Sequence, residues 1–122
     1  MILATNDDSA HAAGLAALVT ALEATGADHV VFAEDVGWTG DGTALGFPRA
    51  APVLVHAAPL AWRFRDATSA LMVAATCSGL TDPRPYAVVV GVNRGPNIGG
   101  MTCFSGTVRA AVTASSFGAQ SR

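Results

Sequence analysis

The sequence predicts an α/β fold: a three-layer, Rossmann-like open sheet, mostly parallel, in a single domain over residues 1–122. Three observations carry this expectation. Short apolar runs alternate with segments whose apolar residues recur at helical spacing. The chain is long enough for one modest core and too short for two. Polar residues cluster just after the strand-like runs, where open α/β sheets bind their ligands.

Taken in order, Ile2–Thr5 (ILAT) is a short apolar run ending in polar residues, which predicts a buried strand. In HAAGLAALVTALEATG, Leu15, Leu18, Val19 and Leu22 share one helical face, and Gly26 supplies the stop. HVVFAED is a second strand, so the first three elements form a right-handed parallel unit. Gly37 to Pro52 is rich in Gly, Thr and Pro and is expected to be a long loop or irregular hairpin. PVLVHA is a further strand. Trp62, Arg63, Phe64 and Arg65 are read as a solvated face with snorkelling arginines, the alternative being a contact to an anion or a partner subunit. DATSALMVAATCSGL predicts a helix capped by Thr68 or Ser69, broken by TDPRP. YAVVVGVN is the clearest buried strand, β-branched and uncharged. RGPNIGG is a glycine-rich loop, and Ser105 opens a last helix ending near Gly118.

Composition excludes several classes of function. With 51% hydrophobic residues and only 13% charged, the chain is expected to fold around a core. A net charge of -2 and the lack of any basic run argue against a nucleic-acid partner; every basic residue is arginine. No apolar stretch is long enough to span a membrane, and MILATNDD reaches carboxylates too early for a signal peptide, so a cytoplasmic protein is expected. Cys77 and Cys103 lack metal-ligand spacing and are read as buried free thiols.

The chemistry-bearing residues fall after separate strands. Asn6, Asp7 and Asp8 follow the first, Glu34, Asp35 and Thr39 the second, and Asn93 and Asn97 the strongest. Three loops are therefore expected to converge on one crevice. Asp7, Asp8, Thr39 and Asn93 offer hard oxygens suited to Mg²⁺ or Mn²⁺, with Ca²⁺ a further candidate. The competing reading is that Asn6 and Asp7 cap the first helix while Asp8 faces water. Ser105, Gly106 and Thr107 open a helix whose amides and hydroxyls can hold a phosphate, although an ordinary serine cap follows the same pattern. Lysine is missing, so this is no Walker loop, and the glycine spacing is not that of a dinucleotide fingerprint.

Taken together, NDDSAHAAG, AEDVGWTG, GVNRGPNIGG and FSGTVRAA resemble, in order and spacing, the motifs of the SurE family of metal-dependent survival-protein phosphatases and nucleotidases. That resemblance implies divalent-metal-dependent hydrolysis of phosphomonoesters, typically nucleoside monophosphates. It implies Asp7, Asp8, Thr39 and Asn93 as ligands to Mg or Mn, and Asn97 and Ser105 lining the phosphate pocket. Asp8 is the candidate general acid or base. His11 is expected on the first helix beside the site as a packing residue, with His29 and His56 structural and Trp38 either stacking on a ring or covering apolar surface.

The departures point elsewhere. Ser9 stands where members carry glycine, so a side chain enters the phosphate approach; Ala13 replaces a proline; Thr43 and Ala44 replace polar residues; DATSALMV lacks the family's aspartate. Members also continue past FGAQSR. An alternative function follows: a repurposed domain acting as a metal-dependent lyase, isomerase or cyclase, or as a binding module. A small phosphorylated substrate or other small molecule is the expected partner. A homodimer is expected too, through residues 50–65 or 107–117, with Trp62 or Arg65 completing a neighbour's pocket.

Overall fold

The computed structural model describes residues 1–34, 53–58, 61–65 and 67–121. Its strands are β1 (Ile2–Asn6), β2 (His29–Glu34), β3 (Val53–Ala58), β4 (Ala61–Arg65), β5 (Ala87–Val90) and β6 (Gln120–Ser121). Its helices are α1 (Ala13–Thr25), α2 (Ser69–Ala75) and α3 (Gly106–Ser116). The strands form one sheet in the order β3-β4-β2-β1-β5-β6. All neighbours run parallel except the β3–β4 pair at one edge. This is the mostly parallel α/β sheet expected from the sequence.

Strand pleating sends alternate side chains to opposite faces, and both faces are covered. Leu3, Val30, Phe32 and Val88 meet Met72 and Val73 of α2 and Ala110 and Ala114 of α3. On the other face Ala4, Val31 and Ala33 meet Leu15 and Leu22 of α1. Each buried Leu or Val contributes about 1.5–3 kcal/mol of transfer free energy. The small alanines of α3 let that helix approach the sheet closely, which brings its first turn near the end of β1.

The helix ends follow local chemistry. Gly26, at φ 68°, closes α1 with its N–H on the Glu23 carbonyl at 3.0 Å. The Thr68 hydroxyl accepts the Leu71 N–H at 3.2 Å, so Thr68 and not Ser69 caps α2. The Ser105 hydroxyl accepts the Val108 N–H at 3.2 Å and caps α3. Helix α1 starts at Ala13 after an Ala12 cap with no side-chain bond. His11 therefore lies in the turn before the helix, not on it.

Two local expectations are corrected. Strand β5 ends at Val90, because Gly91 at φ 144° turns the chain away before Asn93. Trp62 does not belong to a solvated face: β4 lies inside the sheet between β3 and β2, and Trp62 packs on the core. The Trp62 ring stacks on Phe32, with centroids 6.4 Å apart, and packs on the core. Trp62 thus belongs to this chain's own core packing. The signal was present in the sequence, since aromatic and arginine residues alternate with the strand period of two. The other half of the expected dimer contact, α3, exposes Val112, and Phe117 just beyond it. The loop of residues 37–52, with Thr43 and Ala44, lies outside the described residues, as do Asp35, Trp38 and the side chains of His56 and Arg65.

Both cysteines are free, but only Cys77 is buried; Cys103 is exposed, contrary to expectation. Burial raises the Cys77 thiol above its ordinary value of 9.0. A folded-state value above the unfolded one means that the unfolded chain loses its proton first. The stabilising contribution is therefore complete below pH 9.0 and lost as pH rises through the folded value. Alkylation of the native protein at neutral pH should modify Cys103 rapidly and spare Cys77 until denaturant is added. Equal rates at the two thiols would contradict the packing described.

Candidate functional site

Strand order reverses at β1. From β1 the chain crosses by α1 to β2 on one side, while β5 pairs with β1 on the other. A crevice opens beyond the carboxyl ends of strands at such a switch point. Here it is a cavity of about 1030 Å³ whose lining includes Asp7, Asp8, Ser9, His11, Asn93, Arg94, Asn97, Ser105 and Gly106.

Neither aspartate caps α1. The Thr107 hydroxyl, from the first turn of α3, donates to Asp7 Oδ1. The same hydroxyl lies 3.2 Å from Asn93 Oδ1. A hydroxyl has one proton, so two oxygens from two loops face a single donor. That leaves acceptor capacity at the Asp7–Asn93 junction. Asn93 is oriented from its other end, where Nδ2 donates to the Gly95 carbonyl at 2.5 Å. Asp8 is held separately: its Oδ2 accepts the Arg94 N–H at 2.9 Å. The bond ties the loop after β1 to the loop after β5.

Gly106 shows how closely α3 approaches. A Cβ built there would lie 2.5 Å from Asp7 Oδ2 and 2.8 Å from Asp7 Cβ. The carboxylate thus rests on the helix N-terminus, where unpaired amides favour negative charge. Asn97 and Ser105 line the same cavity. The Thr107 hydroxyl is engaged by Asp7, so of the three residues expected to hold phosphate, Ser105 and Gly106 line the cavity and Thr107 supports the carboxylate instead.

Thr39 lies outside the described residues. Glu34, expected in the ligand-facing cluster, is the buried last residue of β2. Its Oε1 accepts the Ser69 N–H at 2.6 Å, and the Ser69 hydroxyl donates to the Asn6 carbonyl at 2.6 Å. A buried carboxylate needs such donors, and the start of α2 supplies one. Asn6 is fully buried at the end of β1, and its amide finds no hydrogen-bond partner among the described residues. The roles of Thr107, the Arg94 amide and Ser69 carried no signal in the sequence, because each depends on a partner far along the chain.

Among the described residues no three His, Cys, Asp or Glu side chains gather as a metal site. The donor set is instead two carboxylates and an amide oxygen, which suits a hard divalent cation and not zinc. The excess of acceptors over protons at the Asp7–Asn93 junction fits such a cation.

A doubly wound α/β sheet with an acidic, hydroxyl-bearing crevice at its switch point defines the class of protein. The family model for "Survival protein SurE" matches residues 2–122, and the chain belongs to the SurE family. It is 41% identical over 117 residues to the 5'-nucleotidase SurE of Variovorax paradoxus (strain S110), covering 96% of this chain and 45% of that protein. It superposes on the crystal structure of the SurE protein from Aquifex aeolicus with a TM-score of 0.87 at 30% identity, covering 98% of this chain and 48% of that one. The chain spans about half the length of these relatives. Among the described residues, no helix is long and apolar enough to cross a membrane.

Proposed function

We propose that this chain carries the site of a divalent-metal-dependent phosphomonoester hydrolase acting on nucleoside monophosphates. The observation that carries the reading is the meeting of Asp7 Oδ1 and Asn93 Oδ1 at one hydroxyl, with Asp8 on the wall of the same cavity. Likeness to a 5'-nucleotidase supports it. Asp7, Asp8 and Asn93, with Thr39 as the sequence resemblance implies, would hold Mg²⁺ or Mn²⁺. Such an ion, when bound, polarises a phosphoryl oxygen and lowers the pKa of water.

The chain's own groups divide the remaining work. Among the described residues only Oδ2 of Asp8 is engaged, by the Arg94 amide, so Oδ1 is placed to take a proton from an attacking water. The Ser105 hydroxyl accepts the Val108 N–H and keeps its own proton to donate to a phosphoryl oxygen. Asn97 offers an amide on the same cavity. The first-turn amides of α3 favour an anion there, alongside Asp7.

Phosphate release from an aryl phosphate and from nucleoside 5'-monophosphates tests the reading. Release is expected with added Mg²⁺ or Mn²⁺ and none in the presence of a chelator. Metal binding by calorimetry without phosphate release from any of these esters would overturn it and favour the repurposed domain.

A further inference from the structure

Ser9 is the only non-glycine residue with positive φ among the described residues, at 129°. L side chains rarely adopt that conformation, and residues held there cluster at functional sites. The peptide unit that follows Ser9 is held at both ends. The Ala10 N–H donates to the Glu34 carbonyl at 2.7 Å, and the Ala12 N–H donates to the Ser9 carbonyl at 3.1 Å. Glycine would keep both bonds without strain. Serine adds a Cβ, which is the source of the strain, and a hydroxyl.

Within the protein that hydroxyl does little. Its oxygen accepts the His11 N–H, a long bond of 3.3 Å on an exposed residue. The hydroxyl accepts there, and among the described residues it donates no hydrogen bond of its own. Ser9, directly after Asp8 in the chain, lines the same cavity as Ser105 and Asn97. We propose that the Ser9 hydroxyl is a substrate-binding donor to an oxygen of the phosphoryl group held in this cavity. This rests on the phosphomonoesterase reading. It converts a departure that first reads as an obstruction into an added contact, one that tightens ground-state binding of phosphate and of phosphate esters.

Two variants separate the hydroxyl from the strain. Ser9→Ala removes the hydroxyl and keeps the strain; Ser9→Gly removes both. With Mg²⁺ present, inorganic phosphate should bind each variant about tenfold more weakly than the parent, and KM for an aryl phosphate should rise by a similar factor with kcat little changed. Ser9→Gly should also raise Tm by about 4 °C or more, and Ser9→Ala should not. A gain in stability with a loss of phosphate affinity is a combination that a structural role does not produce. Parental phosphate affinity in both variants, with hydrolysis intact, would overturn the Ser9 assignment and leave the hydrolase reading standing. A parent protein that neither binds phosphate nor releases it would overturn both.

Discussion

Asp7→Asn should reduce Mn²⁺ affinity by more than about a hundredfold and metal-dependent phosphate release by at least as much. The substitution keeps shape and removes one of the two negative charges at the crevice. Thr107 can still donate to the amide oxygen, so the contact between the loop after β1 and α3 persists. The stability lost is the attraction of a carboxylate to a helix N-terminus, about 0.3–1 kcal/mol. The expected result is a folded protein, with a melting temperature within a few degrees of the parent, that no longer titrates with Mn²⁺ in calorimetry. An unchanged titration would show that Asp7 serves α3 alone and would remove it from the ligand set. Thr107→Val provides the complementary check: it deletes the donor, leaves the charge, and should disturb metal affinity less than Asp7→Asn does.

Gly14→Ala is expected to destabilise the protein by about 3 kcal/mol, lowering the melting temperature on the order of 10 °C. In an ordinary helix this change gains about 0.5–1 kcal/mol, because alanine loses less backbone entropy than glycine. Here the sign reverses. The first turn of α1 sits so close to the loop after β5 that a Cβ at residue 14 would lie 2.0 Å from the Val92 carbonyl oxygen and 2.9 Å from its carbon. Both are backbone atoms, so no rotamer change relieves the overlap. The loop must move, and it carries Asn93 and Arg94, which hold their positions against Thr107 and Asp8. Metal affinity should therefore fall along with stability. A variant as stable as the parent would mean that α1 and this loop are further apart than described.

Much of this architecture is written in short segments. The apolar runs of β1, β2 and β5, the helical spacing of α1, the glycine stop at residue 26 and the Thr68 and Ser105 caps each depend on residues within a few positions of one another. Periodicity and capping chemistry are local, so they can be read locally. The candidate ligands were legible for the same reason: Asp7 and Asp8 directly follow β1 and Asn93 lies in the loop after β5, and open sheets place such residues at one end. Strand β4 was legible in principle, through its alternating aromatic and arginine residues, but the same pattern also describes a solvated surface. Only the pairing of the strand with β3 and β2, and the packing of Trp62 on Phe32, show that it belongs to the sheet.

What the sequence determined by itself was therefore the fold class and the residue types available to the crevice. The tertiary structure decided which atoms meet. Thr107 reaches Asp7 across a hundred positions of chain and Arg94 reaches Asp8 across 86. Glu34 leaves the ligand cluster because the start of α2 offers its carboxylate a buried donor. Ser9 takes a conformation suited to glycine where bonds to Glu34 and from Ala12 hold both ends of the peptide unit that follows it. Such contacts are set by the order of strands and the closeness of helices, quantities that depend on every packed residue at once, and no short segment encodes them.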